Sequence, residues 1–213
     1  MTMRLRILLL GAGLLFSSAS GCSLPSGFDP VVADPAPFDE AHPPVIAERV
    51  FEVAGARLNA IVYVAQGVGP HPTVVLLHGF PGNEKNLDLA QAIRRAGWNV
   101  VFFHYRGSWG SGGRFGFEHV LEDVAGVVET ISAADFAASH RIDPTRLALV
   151  GHSMGGFAAL VSGAELSAID CVVSMAGANL GGLAKGMAES PAQIEGMART
   201  LDGWAGPLGG ASG

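Results

Sequence analysis

Charge and cysteine are both scarce in this 213-residue chain. Charged residues make up 15% of it, the formal net charge is −6, and no basic run follows the N-terminus. That excludes the cationic surface on which nucleic-acid binding depends, so no nucleic-acid partner is expected. The two cysteines, Cys22 and Cys171, are too far apart for a zinc cluster or a disulfide framework, and no cofactor or metal is expected. The one long apolar run, residues 5–16, is short for a bilayer span. What is plentiful is apolar surface, at 49% of residues, and glycine, at 30 residues. The length suits one domain with a sizeable core.

The N-terminus reads as an address. Arg4 and Arg6 form a basic start, residues 5–16 an apolar centre, and residues 17–21 are small. Cleavage before Cys22 fits the Ala19-Ser20-Gly21 pattern, so residues 1–21 are read as a signal peptide. The arrangement resembles a bacterial lipoprotein signal, with Ala19 where leucine is usual, and the resemblance implies a lipid on Cys22. The protein is therefore expected to be exported, lipid-anchored in the cell envelope or periplasmic or secreted. Membrane contact is expected only through that anchor. Residues 22–45, rich in Pro, Ala and Asp without periodicity, read as a tether, and residues 46–213 as the folded core. His42 and His71 sit beside prolines in polar stretches and are expected to be exposed.

Within the core, buried strands alternate with helices. Alternation in residues 49–53 and an apolar run over 58–64 predict a hairpin turned at 54–56. Residues 73–77, 99–103, 147–150 and 171–175 are short runs rich in β-branched and apolar residues, suited to strands buried on both faces. Between them, residues 86–96 and 118–138 carry helical stripes, and a third helix follows Ser153 to about Glu165. Asp143-Pro144 reads as a turn. Cys171 is expected to be buried and inert to thiol reagents. Such alternation means an α/β fold with a mostly parallel sheet, flanking helices and right-handed crossovers. Ligands bind beyond the carboxyl ends of such strands. The segments at 78–80, 104–105 and 153 all lie there.

The stretch of greatest chemical interest is LALVGHSMGGF, residues 147–157. It has the form of a nucleophile elbow: a strand, a tight turn carrying Ser153, then a helix. Glycines two before and two after the serine, Gly151 and Gly155, remove side chains that would clash in so sharp a turn. A helix starting at Met154 aims free backbone N–H groups at whatever the serine attacks.

Together with LLHGFPG at 76–82, FFHYRGSWGSGG at 102–113, LEDV at 121–124 and DPTRLALVGHSMGG at 143–156, this stretch resembles the α/β-hydrolase superfamily. The flavour is that of the serine peptidase and esterase branch related to prolyl oligopeptidase and dienelactone hydrolase. The resemblance covers about residues 47–177. It implies Ser153 as nucleophile, the backbone N–H groups of Phe80 and Met154 as the oxyanion hole, and a small-molecule ester or peptide as substrate. It also implies an acid and then a histidine after the serine. None of the seven histidines follows Ser153. Asp170 precedes its strand, Asp202 is a weak candidate acid, and His104 is at the right sheet edge but reads as a loop histidine bonded to backbone. His78 is expected to shape the oxyanion loop and His152 to pack beside the elbow. The expectation is therefore an α/β-hydrolase fold lacking its last strands, with the catalytic acid and histidine outside this chain. The alternative is a non-catalytic envelope lipoprotein using the fold as a binding module. Finally, residues 190–201 carry an N-cap serine, Pro191 and a stripe of Ile194, Met197, Ala198 and Leu201. They predict a short helix, either a crossover covering the sheet or a cap over the site.

Overall fold

In a computed structural model, the described residues are 28–190 together with 192, 194–196 and 199. The elements are β1 (Val45–Val53), β2 (Ala56–Val64), β3 (His71–Leu77), α1 (Leu87–Arg95), β4 (Asn99–Phe103), α2 (Phe117–Ser132), α3 (Ala134–Ser139), β5 (Ile142–His152), α4 (Met154–Glu165), β6 (Ile169–Met175) and α5 (Leu180–Ala188). They build one six-stranded sheet in the order β1-β2-β4-β3-β5-β6. The β1–β2 and β2–β4 pairs are antiparallel; β4, β3, β5 and β6 run parallel. This is the α/β-hydrolase fold expected from the motifs.

Alternation of side chains divides the apolar residues between two faces. One face packs Val75, Val101, Phe103 and Leu149 against Val124, Val127, Val128 and Ile131 of α2 and Ala158 and Ala159 of α4. The other packs Val74, Leu76, Val100 and Phe102 against Ala90 of α1, with Leu87, Leu89 and Ile93 partly buried beside it. Because both faces are covered, β4 is buried throughout, which is why residues 100–103 read as an unbroken apolar run; its one polar residue, Asn99, donates Nδ2 to the His140 carbonyl at 3.0 Å.

Five expectations are corrected. Residues 28–44 are no free tether. Asp34 pairs with the Arg94 guanidinium, Arg95 Nη1 donates to the Val31 carbonyl at 3.0 Å, and Gln66 Nε2 donates to the Pro37 carbonyl at 3.0 Å. The second helix is interrupted at Ala133, whose ψ of 136° is extended, so α2 and α3 are separate. Asp143-Pro144 lies within β5, as a local irregularity. His71 pairs with Ile142 and Thr73 with Leu147, and Asp143 Oδ1 takes the Thr145 N–H at 3.0 Å. Cys171 is exposed, and β6 is half-buried at best, because among the described residues it has a strand neighbour on one side only. His42 and His71 are half-buried rather than exposed, and His71 Nε2 lies 3.3 Å from the Gly67 carbonyl.

Residues 192, 194–196 and 199 are helical, in keeping with the helix predicted over 190–201. Met197, Ala198 and Leu201 of its stripe lie outside the described residues, as do the signal segment, Cys22 and Asp202.

Candidate functional site

Parallel β3, β4, β5 and β6 all end at one edge of the sheet, and the chain leaves each through a loop there. Ser153 follows β5 directly and is the N-cap residue of α4. Its backbone stands at φ 55°, ψ −116°, a region that side chains other than glycine rarely occupy. What enforces this is what the neighbouring residues lack. A Cβ on Gly151 would come within 2.0 Å of the Gly155 carbonyl oxygen, and one on Gly155 within 2.2 Å of the Leu77 carbonyl oxygen. Strand β5 and helix α4 can thus touch only without side chains, and the serine between them is pushed into its strained turn. The exit of β6 locks it from outside. Ser153 N–H donates to the Met175 carbonyl at 3.0 Å, and the Ser153 carbonyl accepts from Ala178 N–H at 2.8 Å. The serine is half-buried, and among the described residues its hydroxyl makes no hydrogen bond.

Met154 is buried, 2% exposed, as the first residue of α4. Its N–H lies where no helix carbonyl can reach it. The loop after β3, residues 78–82, passes alongside. A Cβ on Gly79 would stand 3.0 Å from Ser153 Cβ, so that loop and the elbow are in contact. Phe80 follows immediately, half-buried, its ring 5.0 Å from that of Phe115 and 5.4 Å from that of Phe117. The three phenylalanines form an aromatic wall at the same edge as Ser153.

His78 is fully buried, and its Nδ1 sits 2.7 Å from the Gly79 carbonyl, so it does shape this loop. Burial pushes its imidazole down to about 4. His104, at the end of β4, is not bonded to backbone through its ring as expected. Its Nδ1 faces His78 Nε2 at 3.4 Å, and burial, with His78 beside it, brings it down to about 3. Trp109 donates its indole N–H to the Pro81 carbonyl at 2.7 Å, with Lys85 Nζ 4.5 Å above its ring. His152 stands beside the elbow, its Nδ1 buried with no hydrogen-bond partner among the described residues. His140 is remote from the elbow, stacked on Phe136 and bonded by Arg49. Among the described residues no group of His, Cys, Asp and Glu side chains is arranged to hold a metal ion.

Arg106 and Asp123 lie in stretches that carried the resemblance, 102–113 and 121–124, but nothing in the sequence showed that they pair. Asp123 on α2 is completely buried and takes two bonds from Arg106, one from its backbone N–H at 2.9 Å and one from Nε at 2.7 Å. Glu122 adds a second carboxylate 3.0 Å from the Arg106 guanidinium. The pair anchors the glycine-serine loop that carries Trp109. Its members are seventeen positions apart, a separation that marks neither a helix face nor a strand pair.

Residues 69–202 match the serine aminopeptidase S33 family. The chain belongs to that family. Among curated proteins it is 32% identical over 116 residues to a 31.7 kDa protein of the Escherichia coli traX–finO intergenic region, covering 52% of this chain and 39% of that one. It is 28% identical over 130 residues to Mycobacterium tuberculosis Rv2307c, covering 60% of this chain and 44% of that one. The match thus spans less than half the length of these relatives. Among solved structures, the Penicillium α/β hydrolase GrgF superposes with a TM-score of 0.56 at 18% identity, over 75% of this chain and 56% of that one. Est1E of Butyrivibrio proteoclasticus, solved with ferulic acid bound, gives 0.52 at 20% identity over 61% and 52%. At these identities the structural likeness speaks for the fold alone.

Proposed function

We propose that the protein is a serine hydrolase that cleaves ester or amide bonds of small-molecule ester or peptide substrates through an acyl-enzyme on Ser153. The observation that carries this reading is the backbone of Ser153 at φ 55°, ψ −116°, at the mouth of a helix, with a hydroxyl that no described residue engages. The Ser153 oxygen adds to the substrate carbonyl carbon, and its proton passes to a base. The resulting oxyanion is held by the N–H groups of Met154 and Phe80. Collapse expels the alcohol or amine, and water then releases the acid.

His78 and His104 face each other rather than the serine, and no described histidine bonds the Ser153 hydroxyl. That observation favours a second reading, a binding module that keeps the fold without turnover. A fluorophosphonate probe separates the two. Stoichiometric labelling, mapped to Ser153 and abolished by Ser153→Ala, supports the hydrolase. A folded protein that stays unlabelled supports the binding module.

The same proposal places the protein outside the cytoplasm, held by a lipid on Cys22. Cys22→Ser should move it from the membrane fraction to the soluble fraction. Unchanged membrane association in that variant would remove the anchor from the proposal.

A further inference from the structure

The loop at residues 78–82 is held by two ring N–H groups, and their placement has a directional consequence. The Gly79 carbonyl and the Phe80 N–H belong to one planar trans peptide and therefore point in opposite directions. Whatever fixes the Gly79 oxygen also aims the Phe80 N–H. The group that fixes it is His78 Nδ1, at 2.7 Å. A carbonyl oxygen can only accept, so His78 carries its proton on Nδ1. Burial keeps His78 neutral, with a value near about 4, which leaves its Nε2 bare as an acceptor. His104 Nδ1 faces that bare nitrogen at 3.4 Å and must donate to it. The order of donation is thus His104 to His78 to the Gly79 carbonyl.

The far end of the loop is held independently. Trp109 Nε1 donates to the Pro81 carbonyl at 2.7 Å. Trp109 itself adopts φ 51°, a left-handed backbone uncommon for a large side chain, and it directs the indole back over the loop. The two rings close on one spot. A Cβ on Gly82 would lie 2.6 Å from His78 Nδ1 and 2.8 Å from Trp109 Nε1.

We propose that His104 and Trp109 are positioning residues that aim the Phe80 N–H at the oxygen reacting with Ser153, His104 by orienting the His78 ring and Trp109 by fixing the Pro81 carbonyl. The catalytic consequence rests on the hydrolase reading; the clamp does not.

Two sets of measurements on the full chain keep these apart. The first is ¹⁵N-resolved NMR of the imidazole rings and the indole. His78 and His104 should both carry hydrogen on Nδ1, the minor tautomer of a free neutral imidazole, and the Trp109 indole hydrogen should be protected from exchange. Hydrogen on Nε2 of His78, or an unprotected indole, would overturn the clamp. The second is the inactivation rate with a fluorophosphonate. His104→Leu and Trp109→Phe should each lower the limiting inactivation rate about tenfold with unchanged reversible affinity, the signature of a misplaced donor. His104→Asn, whose Nδ2–H can replace the donated hydrogen, should recover to within about threefold of the original rate. Equal rates for His104→Leu and the unmodified protein would overturn the positioning role. If Ser153 takes no probe at all, the hydrolase reading fails, and the spectra alone decide the clamp.

Discussion

The elbow at 151–156 and the loop at 78–82 touch each other but are held by opposite means. The elbow is held by omission. Gly151, Gly155 and Gly156 leave out side chains, and the backbones of β3, β5, α4 and the β6 exit fill the space. The loop is held by addition: the His78 ring donates to the Gly79 carbonyl, Trp109 donates to the Pro81 carbonyl, and His104, just after β4, stands behind His78. An arrangement made by omission tolerates no extra carbon and ignores pH. One made by donors tolerates small volume changes and fails when a donor is lost or charged.

The largest expected effect tests the first half of this contrast. In Gly155→Ala the new methyl would meet the Leu77 carbonyl oxygen at 2.2 Å and the His78 carbonyl oxygen at 2.7 Å, both backbone atoms that cannot turn aside. A loss of more than about 3 kcal/mol, or of cooperative folding, is expected in urea titration. Gly112→Ala is the control. Its nearest neighbour would be Arg57 N at 3.4 Å, an ordinary contact, so a change within about 0.5 kcal/mol is expected. A stable, cooperatively folding Gly155→Ala would break the account of the elbow.

Next in size is the anchor of the loop's support. Asp123→Ala leaves Arg106, itself 7% exposed, without its buried carboxylate. Loss of one member of such a pair costs about 3–5 kcal/mol. The segment carrying Trp109 should loosen with it, seen as faster exchange of the indole hydrogen. An unchanged melting temperature would show that Glu122, 3.0 Å away, suffices as the partner.

The third prediction uses pH. Both loop imidazoles are held below the ordinary value of 6.5 by burial, His78 to about 4 and His104 to about 3. A histidine depressed in the folded state stays neutral there while the unfolded chain binds a proton. Its stabilisation is full above pH 6.5 and is lost as pH falls toward about 4. Stability should therefore be level above neutrality and decline between about pH 6 and pH 4. The double variant His78→Phe, His104→Phe should make that decline shallower, leaving the part due to His71 and His140, which burial also holds down. A slope unchanged by the double variant would assign it to other groups.

The contrast also explains what the residues disclosed before folding. Omission leaves a local trace. The G-x-S-x-G spacing, with an apolar run before it and alanines after it, was enough to locate the elbow. The β-branched and apolar runs within 73–77 and 99–103 located strands covered on both faces. Addition across the fold leaves no such trace. The meetings of His104 with His78, Trp109 with Pro81 and Arg106 with Asp123 join segments whose separations match no helix or strand period. The apolar run at 171–175 misled for a related reason. Its composition is that of a central strand, but burial depends on the neighbours a strand has, and among the described residues β6 has one. The strap at 28–44 was hidden because its contacts are made mostly by carbonyl oxygens, which every residue carries.

That strap supplies the smallest predicted effect. It lies at the edge of the sheet opposite Ser153. Arg94 and Arg95 close the last turn of α1 just before β4 begins, and Asp34 pairs with both. A hydrogen bond from Arg94 holds the Asp34 carboxyl below the usual carboxylate value of 3.8. A depressed carboxylate stabilises above its unfolded value, and that contribution is lost as pH falls below about 3.8. Asp34 is 51% exposed, so solvent screening limits the contribution to about 1 kcal/mol or less, although Arg94 is buried. Asp34→Asn should leave the melting temperature within about two degrees of the original. It should make residues 28–44 several-fold more sensitive to limited proteolysis at neutral pH, as acidification does for the unmodified protein. It should leave both the elbow and the loop untouched, with the same rate of Ser153 labelling. A change in that rate would mean that the two edges of the sheet are coupled.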